Sequence, residues 1–297
     1  AQIGLSAFRS KEDPVAGPKD RIQYLRHHTD QPMLSQDLLC ATDLTPAADQ
    51  AVRAALLIAE RLGSKVTLLH VLNKDERTVA GKNKVLETMA AQAEKVAVNV
   101  EVNYKLLEGD FMDRIAEETA RGHSLMVLGT HGPRGLRQKL LGADILKLVR
   151  RSSVPSFVVQ EESKLELLLQ KIVLPVAAHT DIDRLLSVVA ALAKAFAAEV
   201  HIFQLMRPRE EPSEELLANK LKMLQFFEKE GVRHKEVNSP STIFSIGFAE
   251  PTINYAMEIG AGCIAIMAHA SDEYRYIADA EKERMLANDA QVPVLCT

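Results

Sequence analysis

Apolar residues in this chain fall into short runs separated by helical stripes. Runs of strand length stand at 37–42, 65–72, 98–107, 124–129 and 154–159. Between the first two, Val52, Leu56, Ala59 and Leu62 recur at helical spacing. Thr45 and Pro46 mark the start of that helix, because a hydroxyl caps a free N–H and proline lacks one to leave unpaired. Gly63 marks its end. Further helices are predicted over about 85–97, after a charged connection at 73–84, and over 110–121 and 144–151. Strands alternating with helices predict a parallel, doubly wound sheet.

The pattern then repeats. Runs at 171–176 and 199–206 follow those at 37–42 and 65–72 by the same 134 residues. A constant offset between two strands is a sign of duplication. Between the second pair, Thr180 with Asp183 reads as a capping box, ahead of Leu185, Val188, Val189, Leu192 and Phe196 at helical spacing. Later strands are predicted at 262–269 and 292–296. The expected fold is α/β: two tandem doubly wound domains, each an open parallel five-stranded sheet flanked by helices. The divisions are an N-terminal extension at 1–34, a first domain at 35–160, a linker at 161–170 and a second domain at 171–297.

Composition narrows the class. Of 297 residues, 47% are hydrophobic but only 5% aromatic, with no Trp, so Ala, Leu and Val carry the core. A net charge of -4 argues against nucleic acid as a partner. Cys40, Cys263 and Cys296 all sit in apolar runs, which suggests buried free thiols and a reducing compartment. No run approaches the roughly 18 apolar residues of a membrane span, and no secretory segment opens the chain, so a cytoplasmic location and no membrane partner are expected.

The candidate chemistry lies after the 124–128 run. Gly129-Thr130-His131-Gly132 follows it, and nine residues separate Gly132 from Gly142. Glycines between a strand and a helix let backbone approach a ligand, and a helix start offers free N–H groups to an anion. The alternatives are a phosphate cradle and a tight strand-to-helix turn. Arg134, Arg137 and Lys139 either attract phosphate or are a solvated basic loop. Lys147, Arg150 and Arg151 read as cations favoured at a helix C-terminus. His70 reads as a packed strand side chain. His179, His201, His234 and His269 show no metal-ligand spacing.

The first half resembles the universal stress protein family. The residues that carry the resemblance are Thr42-Asp43, Leu68-Leu69-His70-Val71, Glu108-Gly109-Asp110, and the segment from Val127 and Leu128 through Gly129, His131, Gly132, Pro133 and Arg134 to Leu136. The family's ATP signature is Gly, two residues, Gly, nine residues, Gly, then Ser or Thr. Gly129, Gly132 and Gly142 meet it, and Ala143 does not. The resemblance implies ATP with Mg in the first domain. Thr42, Asp43 and Val71 would stand on the base side, with Gly129, His131, Gly132, Gly142, Ala143 and Asp144 along the sugar and phosphates. It also implies a stress-response protein that acts through nucleotide binding and partner interaction.

The alternatives are a scaffold or ligand-binding protein without nucleotide, or a nucleotide-processing enzyme. The enzyme class usually carries His-x-Gly-His after the first strand, and this chain has none there. No nucleophile–base pair is evident, so catalysis is expected to be absent or limited to slow ATP hydrolysis. The second half lacks the acid, with Val176-Ala177-Ala178-His179 in its place, and carries Asp272 and Glu273 where a glycine loop would be. At most one nucleotide per chain is therefore expected. Tyr274, Tyr276 and Ile277, with Phe244, Phe248 and Met267, either fill the vacant space or line an apolar pocket, and filling is the favoured reading. The final strands of the two halves, around Phe157 and Leu295, are expected to pair as an intramolecular pseudo-dimer, with a homodimer as a further option.

Overall fold

The computed structural model describes residues 34–130, 142–208, 210–241, 247–269, 271 and 275–297. The expectations for the N-terminal extension, for His131 and Gly132, for the basic loop, and for Phe244 and Tyr274 lie outside the described residues.

Among the described residues, ten strands form a single sheet. They are β1 (Asp37–Ala41), β2 (Val66–Leu72), β3 (Val102–Glu108), β4 (His123–Thr130), β5 (Ser156–Gln160), β6 (Lys171–Pro175), β7 (Glu199–Met206), β8 (His234–Pro240), β9 (Cys263–Ile266) and β10 (Val294–Cys296). Their spatial order is β3-β2-β1-β4-β5-β10-β9-β6-β7-β8. Every pairing is parallel except β5 with β10, where Val158 faces Val294 and Phe157 faces Leu295. The strand order on one side of that seam is thus repeated on the other.

Among the described residues, eight helices cover the two faces: α1 (Pro46–Leu62), α2 (Val79–Glu94), α3 (Phe111–Thr119), α4 (Gly142–Arg151), α5 (Asp183–Phe196), α6 (Glu214–Glu230), α7 (Ala249–Glu258) and α8 (Arg275–Leu286). One core joins α1, α2, α5 and α6 to the sheet through residues such as Leu56, Met89, Leu186 and Phe227. The other joins α3, α4, α7 and α8 through Ile115, Leu148, Ile253 and Met285. Each core runs across the seam. Strands buried on both faces read as continuous apolar runs, which is why β1, β2 and β7 stand out in the sequence.

Several boundaries differ from expectation for local reasons. Thr45 caps α1 by accepting from Ala48 N, and Gly63 closes it at φ 65°, as the sequence suggests. The next helix begins at Val79 rather than about 85, because Thr78 accepts from Gly81 N and starts it early. The capping box at Thr180 does not form. The helix starts at Asp183, whose N–H is taken by the Asp181 carboxylate at 2.9 Å. The stretch at 161–170 is more than a linker: a short 3-10 turn spans Leu165–Leu167, and Leu168 and Leu169 are buried. All three cysteines are free and buried.

Candidate functional site

In a doubly wound sheet, ligands settle beyond the carboxyl ends of the strands where the strand order reverses. Here that place is between β1 and β4. A cleft whose empty space, including the solvent at its mouth, is about 650 Å³ lies there, lined by Ala41, Thr42, Asp43, Leu69, His70, Val71, Leu128 and Gly129 from the strand ends. Ala48, Phe111, Ile115 and Leu148 close it from α1, α3 and α4.

Its polar rim is held by local turns. The Thr42 hydroxyl donates to Gln92 Oε1 at 3.0 Å and accepts from Leu44 N at 3.1 Å. Asp43 Oδ1 accepts from Thr45 N at 3.0 Å and Thr45 Oγ1 at 2.6 Å, so it shapes the turn into α1. The His70 ring bridges the Thr42 carbonyl at 2.9 Å and Glu76 Oε2 at 3.0 Å, so it orients the cleft wall rather than packing inertly. Partial burial works to raise the Glu76 pKa, but the hydrogen bonds from His70 and the Asn73 N–H outweigh it and hold the carboxyl below its ordinary range.

The structure therefore brings together Thr42, Asp43, Val71 and Gly129. Gly142, Ala143 and Asp144 stand in the first turn of α4 and are not among the described residues that line the cleft. Gly142 has a packing duty: a Cβ there would meet the Glu283 carbonyl oxygen on α8 at 2.7 Å. Phe111 and Leu148 were missed from sequence. Phe111 directly follows the helix-capping Asp110, which was the available signal.

Cations on α4 do more than answer the helix dipole. Arg150 donates to the Ala268 carbonyl at 3.1 Å and pairs with Asp279 on α8 at 2.5 Å. Arg151 pairs with Asp113 at 2.6 Å, and Lys147 with Asp144 at 3.5 Å. Arg150 thus ties the helix beside the first cleft to the segment after β9.

A second cleft, whose empty space including the solvent at its mouth is about 1080 Å³, occupies the matching place between β6 and β9. Val176, Leu205, Met206, Ile266 and Met267 come from the strand ends, with Ile182, Leu185, Leu216, Met223, Phe248 and Ala278 around them. The expectation of a filled space rests mainly on Tyr274 and Tyr276, whose side chains lie outside the described residues; of the others, Phe248 and Met267 line the cleft and Ile277 is not among its described lining residues. Glu281 from α8 accepts from Ala249 N at 2.7 Å and so caps α7 with the protein's own carboxylate.

Lys282, also on α8, lines this cleft and is only 3% exposed. Its ammonium donates to the carbonyls of Met267 at 2.5 Å and His269 at 2.6 Å. Burial pushes its pKa down from 10.5 to about 8. The unfolded chain keeps that proton up to the ordinary value, so the cost of the buried charge is full below pH 8 and fades as pH rises. Relative to Lys282→Met, the wild type is expected to gain about 3 kcal/mol of stability between pH 8 and 10.5. Denaturant unfolding of both proteins across that window checks this, and parallel stability curves would contradict it.

Among the described residues, no three His, Cys, Asp or Glu side chains gather as a metal site, and no helix is long and apolar enough to cross a membrane.

Fold and clefts define a doubly wound α/β protein with its openings where such sheets receive ligands. Residues 35–160 match the model of the universal stress protein family. The whole chain is similar in fold to a universal stress protein from Archaeoglobus fulgidus DSM 4304, at TM-score 0.62 and 16% identity, covering 89% of this chain and 97% of that one. It is also similar to a putative universal stress protein from Pseudomonas aeruginosa UCBPP-PA14, at TM-score 0.52 and 17% identity over 88% of this chain and 92% of that one. A functionally unknown protein from Pseudomonas aeruginosa PAO1 is similar at TM-score 0.52 and 17% identity, over 88% and 91% of the two chains. No curated protein matches.

Proposed function

We propose that this chain is a stress-response protein that binds one ATP, with Mg, in the first cleft, and that its two halves pair as a dimer within one chain. The observation that carries the nucleotide reading is the cleft at the β1/β4 reversal, where Thr42, Asp43, Val71 and Gly129 converge. The apolar wall of Leu69, Phe111 and Leu128 suits the faces of a planar base, and the phosphates would reach past the described lining toward the α4 N-terminus, whose free N–H groups suit an anion. Mg would ride on the phosphates.

Ala143 withholds one hydroxyl. A hydrogen bond to a charged oxygen contributes about 1.5–3 kcal/mol, so its loss weakens binding about 10- to 100-fold. The second cleft does not share the chemistry, since it lacks an acid after β6 and has Glu210 and Glu211 among its lining residues. Slow hydrolysis is the most catalysis this reading assigns, because among the described residues no base faces a nucleophile.

A reading without nucleotide is favoured by the Gly142 contact with Glu283, which supplies a packing reason for that glycine. Calorimetry with Mg-ATP separates the two. One site per chain is expected, tightened about 10-fold by Ala143→Ser and abolished by Val71→Trp, which fills the cleft. No heat in either the wild type or Ala143→Ser would establish the reading without nucleotide, and two sites per chain would overturn the one-cleft assignment.

A further inference from the structure

The second cleft carries a chemistry that the first does not. Its walls are apolar, formed by Val176, Leu185, Leu205, Met223, Phe248 and Met267 among others. Methionines recur in it, and their unbranched thioethers adapt to flexible apolar ligands. Against these walls stands the Lys282 ammonium. It has three N–H donors, of which two are engaged by the Met267 and His269 carbonyls. Among the described residues no carboxylate lies within ion-pair distance of it. Asp279, one helical turn away, is already engaged by Arg150. A buried cation without a counter-ion, on the wall of an apolar chamber, is electrostatically incomplete.

We propose that the second cleft binds an amphipathic carboxylate, with its alkyl chain along the apolar wall and its carboxylate on Lys282. One unused donor matches one carboxylate oxygen. The Glu211 carboxylate disfavours a polyphosphate more than a single carboxylate, because the polyphosphate's charge is several-fold greater. Arg207 does not change this balance, because it pairs with Glu210 at 3.7 Å. The cleft opens to solvent and its lining is mostly apolar, so an alkyl chain of medium length can lie along its wall with one end in water.

The test is calorimetry of the full chain with dodecanoate, decanoate, octanoate and dodecanol, each below its aggregation concentration. One dodecanoate per chain is expected, with affinity falling about 4-fold for each methylene removed. Dodecanol is expected to bind at least 10-fold more weakly than dodecanoate, a comparison that needs no variant. Lys282→Met should bring dodecanoate down to the dodecanol level and leave dodecanol unchanged, with folding checked by a circular-dichroism melt. Val71→Trp should leave dodecanoate binding intact, and Mg-ATP should not displace it, so that failure in the first cleft and failure here remain separate. Absence of binding, several equivalent sites, equal affinity for acid and alcohol, or displacement by Mg-ATP would each overturn the proposal.

Discussion

Gly262→Ala is expected to cost at least about 4 kcal/mol, a large part of the roughly 5–15 kcal/mol that stabilises an ordinary domain. Gly262 sits immediately before β9 and donates to the Lys171 carbonyl at 3.0 Å. A Cβ there would lie 1.8 Å from the Leu167 carbonyl oxygen and 2.6 Å from both Leu167 C and Leu169 N. These are backbone atoms and cannot rotate aside. Relief would require moving the 3-10 turn that leads into β6, along with the buried Leu168 and Leu169. Gly260→Ala is the natural contrast. It has a φ of 61°, and its nearest neighbour, Leu167 Cδ1, is 3.8 Å away, so only the conformational cost of about 1–2 kcal/mol is expected. Guanidinium unfolding of both variants checks the pair. A Gly262→Ala protein within 1 kcal/mol of the wild type would contradict this packing.

The second large effect is expected at the seam. Phe157 on β5 is fully buried, opposite Leu295 on β10, and it belongs to the core that runs through both halves. Phe157→Ala should cost about 3–5 kcal/mol through lost burial and a cavity. Because that core crosses the seam, the loss should appear as a lowered single unfolding transition rather than as a new early one. The proposal of an intramolecular dimer gives a companion expectation. Residues 35–160 expressed alone would expose the β5 edge, and unpaired edges recruit partners. Sedimentation should show a dimer or larger species. A monomer at high concentration would count against the proposal.

Legibility in the sequence followed burial. The run at 199–206 was read with its observed bounds, because Val200, Ile202, Phe203, Leu205 and Met206 keep it mostly apolar. β8 was missed: its sequence, HKEVNSP, is polar, as befits an edge strand with little buried surface. α6 through α8 were also missed, and the segment after β9 was read as a loop although α8 starts at Arg275. At the first cleft, the strand-end residues were legible because Thr42-Asp43 and Gly129 belong to a motif of fixed spacing. Ala48 and Leu148 were not, since they reach the cleft only through the packing of α1 and α4 on the sheet. Lys282 gave no signal at all. A lysine among charged helical neighbours looks solvated until the fold places Met267 and His269 carbonyls beside it.

The antiparallel pairing of β5 with β10 has a consequence for how the two clefts can diverge. Were identical chains to meet through such a seam, each substitution would occur on both sides at once, and assembly would depend on dilution. Joined covalently, the partners meet at an effective concentration set by a ten-residue connection rather than by expression level. Each side then mutates alone. Inheritance can preserve the acid of Asp43 on one flank while Lys282 becomes buried on the other, at a ratio of one to one that no change in abundance can disturb.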